Sequence, residues 1–187
     1  GNPFVWHGDR PTRICAIPRD GGELIWFEKS TFFSWHFTNG FQSGDKLYVD
    51  YVWMASVPFA QDPNSGLERQ TRNMHRMTLD LKTGEVSDEK LGPTYCEFGR
   101  ADDRLCGQRY RYGFAAASDT ADWDGPNHGY NGVIRYDMDS GDSRFWDYGA
   151  GASAGEPVHV PDPSSANEED GYLMSYVTHP EEGAFLS

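Results

Sequence analysis

Met77-Thr78-Leu79-Asp80-Leu81-Lys82-Thr83-Gly84-Glu85-Val86 and Val133-Ile134-Arg135-Tyr136-Asp137-Met138-Asp139-Ser140-Gly141-Asp142 are two renderings of one pattern. An alternating apolar strand runs into a turn that ends in glycine and an acid, and a second strand follows. Residues 14–27, around Asp20-Gly21-Gly22-Glu23, give a third copy. Glycine suits such a turn because hairpin loops need positive φ, which a residue without Cβ adopts freely. Gly22, Gly84 and Gly141 stand 62 and 57 residues apart, a quasi-period that marks a repeated sheet unit. Leu79-Asp80-Leu81 also aligns with Tyr136-Asp137-Met138. Each copy reads as the outer hairpin of its unit.

Further strands are predicted between the copies, at residues 46–54, 109–117, 156–160 and 172–178. No amphipathic helix of ten or more residues appears. Frequent turn formers, Gly 21 and Pro 11, with 14% aromatics, favour many short strands. Four strands per unit at this period predict an all-β fold, a β-propeller with long loops. The 187 residues would make about three blades, whereas a closed propeller needs at least about four. The last residues read as a strand, a turn at His179-Pro180-Glu181-Glu182-Gly183, and a returning strand begun at Ala184-Phe185-Leu186. Residues 1–187 are therefore expected to form a single incomplete propeller domain, a fragment of a longer protein. Such a fragment should be inactive and poorly stable alone, because its end blades expose faces and edges.

The formal net charge of −13 argues against a nucleic-acid partner, whose phosphates need clustered Lys and Arg. An anionic membrane surface would be repelled as well. No stretch approaches the roughly 18 apolar residues of a spanning helix. Cys15, Cys96 and Cys106 form no close CxxC pair, so buried or free thiols in a reducing, cytoplasmic setting are expected rather than disulfides or zinc.

Three clusters could carry chemistry. In Thr31-Phe32-Phe33-Ser34-Trp35-His36-Phe37-Thr38-Asn39-Gly40-Phe41, extended alternation puts Phe33, Trp35 and Phe37 on one face and His36 on the other. His36 reads either as a hydrogen-bonded core histidine or as a ligand. Most of the aromatic side chains around it, Phe41 included, are expected in the core, with tunnel walls as the alternative. Glu97, in Cys96-Glu97-Phe98-Gly99-Arg100, and Glu156, in Gly155-Glu156-Pro157-Val158, each open an apolar strand. A carboxylate there needs a partner or must stay solvated.

Together with Arg109-Tyr110-Arg111-Tyr112-Gly113 and Glu168-Glu169-Asp170-Gly171-Tyr172-Leu173, these blocks resemble the carotenoid cleavage oxygenase family, including its bacterial branch that cleaves lignin-derived stilbenes. The blocks occur in the family's order over nearly the whole chain. The resemblance implies a seven-bladed propeller with iron(II), Fe(2+), held on its axis by four histidines, with glutamates bonded to the outer ring nitrogens of several. It implies that His36 is one metal ligand, that Glu97 is its outer partner, and that Glu156 is the partner of a ligand beyond Ser187. It further implies a dioxygenase acting on a small apolar or aromatic alkene and O2, whose double bond is split into two carbonyls. The alternative is a propeller serving as a binding scaffold or hydrolase, with His36 purely structural.

The chain departs from the family pattern at Gly40, Gln42, Gly99 and His159. None of these removes His36 or either glutamate. His7, His75, His128, His159 and His179 match no ligand position and are expected to be non-ligands. Arg100, Arg109 and Arg111 are expected to pair with Asp102 and Asp103.

Overall fold

A computed structural model describes residues 5–57, 72–92, 94–119 and 129–187. Its strands are β1 (Thr12–Ala16), β2 (Ile25–Lys29), β3 (Phe37–Ser43), β4 (Lys46–Met54), β5 (Arg72–Asp80), β6 (Val86–Lys90), β7 (Tyr95–Ala101), β8 (Tyr112–Ser118), β9 (Gly132–Asp137) and β10 (Ser143–Asp147). Five shorter ones follow: β11 (Ser153–Ala154), β12 (Val158–Pro161), β13 (Gly171–Met174), β14 (Tyr176–His179) and β15 (Gly183–Leu186). Helical structure among the described residues amounts to one 3-10 turn at Asp103–Leu105.

Two antiparallel four-stranded meanders, β3-β4-β5-β6 and β7-β8-β9-β10, form complete blades. The β1-β2 hairpin precedes them, and β11-β14-β15 with β12-β13 follows. The partial propeller is thus two whole blades flanked by pieces of two more.

The alternation explains how the blades pack. In β4, Val52 and Met54 enter the core shared with the second blade, while Tyr51 enters the core shared with the first hairpin. In β8, Ala115 and Ala117 meet the first blade and Ala116 faces the terminal strands. Strands covered on both faces lose the polar face of a surface sheet. Every residue of β8, Tyr-Gly-Phe-Ala-Ala-Ala-Ser, is accordingly buried.

The three repeat copies are hairpins β1-β2, β5-β6 and β9-β10, the last two forming the outer halves of their blades. Their aspartates explain the turns. The Asp80 carboxylate accepts from the amides of Lys82 and Thr83, and that of Asp137 from Asp139 and Ser140. Gly84 and Gly141 have φ of 77° and 78°. In the first copy the positive φ falls on Gly21 rather than Gly22.

Two expectations need correction. The strand predicted at residues 172–178 is two strands in different sheets, β13 and β14, divided at Ser175. The Ser175 hydroxyl donates to the Gly155 carbonyl, and its backbone pairs with Ser187, which turns the chain from one sheet to the other. The arginines also find other partners than Asp102 and Asp103. Arg109 pairs with Asp139 and Arg111 with Asp137, both turn residues of the repeat, and Asp102 is taken by Arg104. Arg100 does approach Asp103, at 3.8 Å, and lies nearer Glu156.

Candidate metal centre

His36 lies just before β3, anchored by its own backbone. Its carbonyl accepts from the Val52 amide of β4 and from the Ser34 hydroxyl. Its side chain reaches across to the next blade, where Nδ1 sits 2.5 Å from Oε2 of Glu97. The imidazole is 41% exposed and the carboxylate only 2%.

Both flanking strands are irregular at this point. β3 carries a bulge between Phe37 and Asn39, and β7 one between Glu97 and Arg100. Bulges re-aim side chains and recur beside functional sites. Phe98, within the second bulge, has φ of 58°, the one positive value on a non-glycine residue among those described. An aromatic residue there is strained, a cost that persists only where its surroundings hold it. The hold is visible: the Phe98 amide donates to Glu97 Oε2 at 2.7 Å, and its ring packs against His36 and edge-on to Tyr130. The bulges also meet. A Cβ on Gly99 would lie 2.0 Å from Thr38 Oγ1 and 3.1 Å from Thr38 Cβ, which gives a reason for glycine at that departure from the family pattern.

Oε2 of Glu97 therefore accepts from two N–H groups, while Oε1 is buried without a hydrogen-bond partner. A carboxylate cannot donate, so in the neutral imidazole the proton belongs on Nδ1 and the lone pair on Nε2. Behind Glu97, Tyr95 stacks on Tyr130, and burial pushes the Tyr95 phenol up to about 12 and the Tyr130 phenol higher still. Both stay neutral, and the Arg72 guanidinium lies against the pair, donating to the Tyr130 hydroxyl and facing the Tyr95 ring.

A neutral imidazole with its outer nitrogen fixed by a carboxylate is a suitable donor for a transition metal. It is one donor only. No group of three or more His, Cys, Asp or Glu able to hold a metal occurs among the described residues.

The remaining candidates fall elsewhere. Glu156 follows β11 and pairs with Arg100 at 3.4 Å while 47% exposed. His75 bonds Asp88, His179 accepts from the amides of Glu181 and Glu182, and His7 is exposed. His159 is buried within β12, and His128 lies outside the described residues. Trp35 and Phe37, expected in the core, are 39% and 61% exposed, and Phe33 is part-buried against the inter-blade core. Trp35 and Phe37 share one face, as the alternation predicts, but that face is open rather than packed.

A family model described as retinal pigment epithelial membrane protein (RPE65) matches residues 1–186. The chain belongs to that family, the carotenoid cleavage oxygenases. It is similar to apocarotenoid-15,15'-oxygenase of Synechocystis sp., at 27% identity over 95% of this chain and 36% of the relative. It also resembles a 9-cis-epoxycarotenoid dioxygenase of Oryza sativa subsp. japonica, at 32% identity over 91% of this chain and 30% of the relative. An isoeugenol monooxygenase of Pseudomonas nitroreducens is 26% identical over 93% of this chain and 39% of its own length. The crystal structure of cobalt-substituted Synechocystis ACO superposes with a TM-score of 0.80 at 25% identity, over 92% of this chain and 36% of that one. The chain thus spans about a third of the length of these relatives.

Other blocks that signalled the carotenoid cleavage oxygenases prove to be fasteners. Asn39 donates to the carbonyls of Leu105 and Gln108 and accepts from the Gly107 amide, tying β3 to the turn after β7. Tyr110 donates to buried Asp50. Glu168 accepts from the amides of Arg111 and Tyr112, and Asp170 closes its own loop through Ser165 and Asn167.

Proposed function

We propose that this chain is part of a non-haem iron(II) dioxygenase that splits a carbon–carbon double bond of a carotenoid, apocarotenoid or stilbene-type alkene. Each carbon of the broken bond would take one oxygen atom of O2, giving two carbonyl products. The observation that carries this reading is the 2.5 Å contact between His36 and the buried Glu97 across two blades. His36 would offer its Nε2 lone pair as one of the ligands to iron. Glu97 would hold the Nδ1–H tautomer, keep the ring correctly turned and make Nε2 a stronger donor. Bound iron would supply the redox chemistry toward O2 that no protein side chain here provides. Exposed Trp35 and Phe37, beside His36 in sequence, offer apolar surface suited to a poorly soluble alkene. The names of the relatives support the substrate class: an apocarotenoid, an epoxycarotenoid and isoeugenol all carry a conjugated alkene.

Glu156 takes the same part in this proposal for a ligand supplied beyond Ser187. It follows β11, the first strand of its sheet, as Glu97 lies on β7, the first strand of the preceding one.

Metal analysis of the full-length enzyme tests the proposal. About one iron per chain is expected, lost with alkene cleavage in His36→Ala. A variant that keeps its iron and its turnover would return His36 to a structural role and favour a scaffold propeller.

A further inference from the structure

Outside the His36 region, a cavity of about 330 Å³ opens between the outer strands of the second blade and the β12-β13 hairpin. Arg135 of β9, Arg144 and Trp146 of β10, His159 of β12 and Tyr172 of β13 line it, with Phe114 beneath. His159 is 8% exposed, and neither of its ring nitrogens has a hydrogen-bond partner. Its ring stacks on Phe114 at 5.1 Å and 12°, so its plane is fixed. Burial lowers the affinity of this imidazole for a proton and keeps it neutral, with one nitrogen donating and the other accepting.

Buried polar groups are nearly always satisfied, and each exception calls for a reason. Two exceptions share this cavity, because Nε of Arg135 is also buried and unpartnered while its Nη1 is held by Glu169. Arg144 lies over the Trp146 ring at 4.9 Å, and no described carboxylate forms an ion pair with it. An unpaired guanidinium at the mouth of a cavity can take a carboxylate through charge-assisted hydrogen bonds, a local attraction that acts against the overall net charge of −13. Trp146 and Tyr172 supply flat apolar walls.

We infer that this cavity binds a small aromatic carboxylate, its ring between Trp146 and Tyr172 and its carboxylate on Arg144, with Arg135 and His159 as further hydrogen-bonding groups. The inference is independent of the iron site, since none of these residues lies on β3 or β7.

Benzoate titrated into the full-length enzyme, followed by calorimetry and tryptophan fluorescence, tests it. Saturable binding is expected, at least tenfold weaker for the neutral analogue benzyl alcohol and at least tenfold weaker for benzoate in the Arg144→Gln variant. Trp146→Phe should remove the saturable fluorescence change. Arg144 is exposed, so its replacement leaves the fold intact. Equal affinity for benzoate and benzyl alcohol, unchanged binding by Arg144→Gln, or no saturable signal at all would each overturn the assignment. The last result would also follow if chain beyond Ser187 filled the cavity, and it overturns the inference in that case too.

Discussion

Asp50 and Glu97 are equally hidden from water, at 0% and 2% exposure, and both stand in the packing between the two complete blades. Asp50 is saturated: Arg76 approaches both of its oxygens at 2.8 Å, and the Tyr110 hydroxyl donates to one at 2.6 Å. Glu97 spends one oxygen on His36 and the Phe98 amide and leaves the other bare. A fully bonded carboxylate is what stability selects, because an unpartnered buried oxygen costs about 1–3 kcal/mol. Tolerating that cost beside a strained Phe98 marks the Glu97 seam as built for a task other than holding the blades together.

The contrast can be broken most forcefully at Asp50. Asp50→Ala strands a half-buried guanidinium and a buried phenol, and should lower unfolding free energy by about 3 kcal/mol or more. Iron per folded chain should not change. Equilibrium denaturation combined with metal analysis checks both halves, and loss of iron without loss of stability would reverse the roles assigned to the two acids.

Glu97→Gln should do the opposite. Iron retention or turnover is expected to fall about tenfold or more, while stability moves by less than about 1 kcal/mol, since glutamine preserves shape and can still accept. Unaltered iron and turnover would remove Glu97 from the centre. Glu156→Gln sharpens the comparison further. Its half-exposed pair with Arg100 is worth less than about 1 kcal/mol, so stability should hardly respond, while iron retention should drop several-fold.

The smallest effect belongs to a fourth carboxylate, Asp137. Arg111 above all, with the amides of Asp139 and Ser140, holds it well below the ordinary value of 3.8. A depressed folded value means the contribution is complete above pH 3.8 and is lost as pH falls below it toward the folded value. Asp137→Asn should therefore be less stable than wild type at pH 7, with the difference narrowing below pH 3.8. Urea midpoints measured across that range would show it, and a gap independent of pH would exclude Asp137 as its source.

Much of the fold was legible because its signals are local. The glycine turns with alternating flanks mark hairpins β5-β6 and β9-β10, and the strand predicted at residues 46–54 is β4. Tertiary choices were not. Arg109 and Arg111 turn to the repeat aspartates because strand register brings those acids near, and no spacing in the sequence carries that information. The division at Ser175 depends on a bond to Gly155, twenty residues earlier. His36 and Glu97 are 61 residues apart, and only the resemblance to known oxygenases joined them before the geometry did. Neither bulge shows in the sequence, since a bulge is defined by the strand across from it.

His36 is rooted in one blade and the group that steers it in the next, so the proposed metal centre would also work as a gauge of alignment. If neighbouring sheets slide by a few tenths of an ångström, every hairpin survives but the ring loses its guide. Heating or mild denaturant should thus release metal before the strands melt, and the loss of iron would be the earliest sign of a loosening ring.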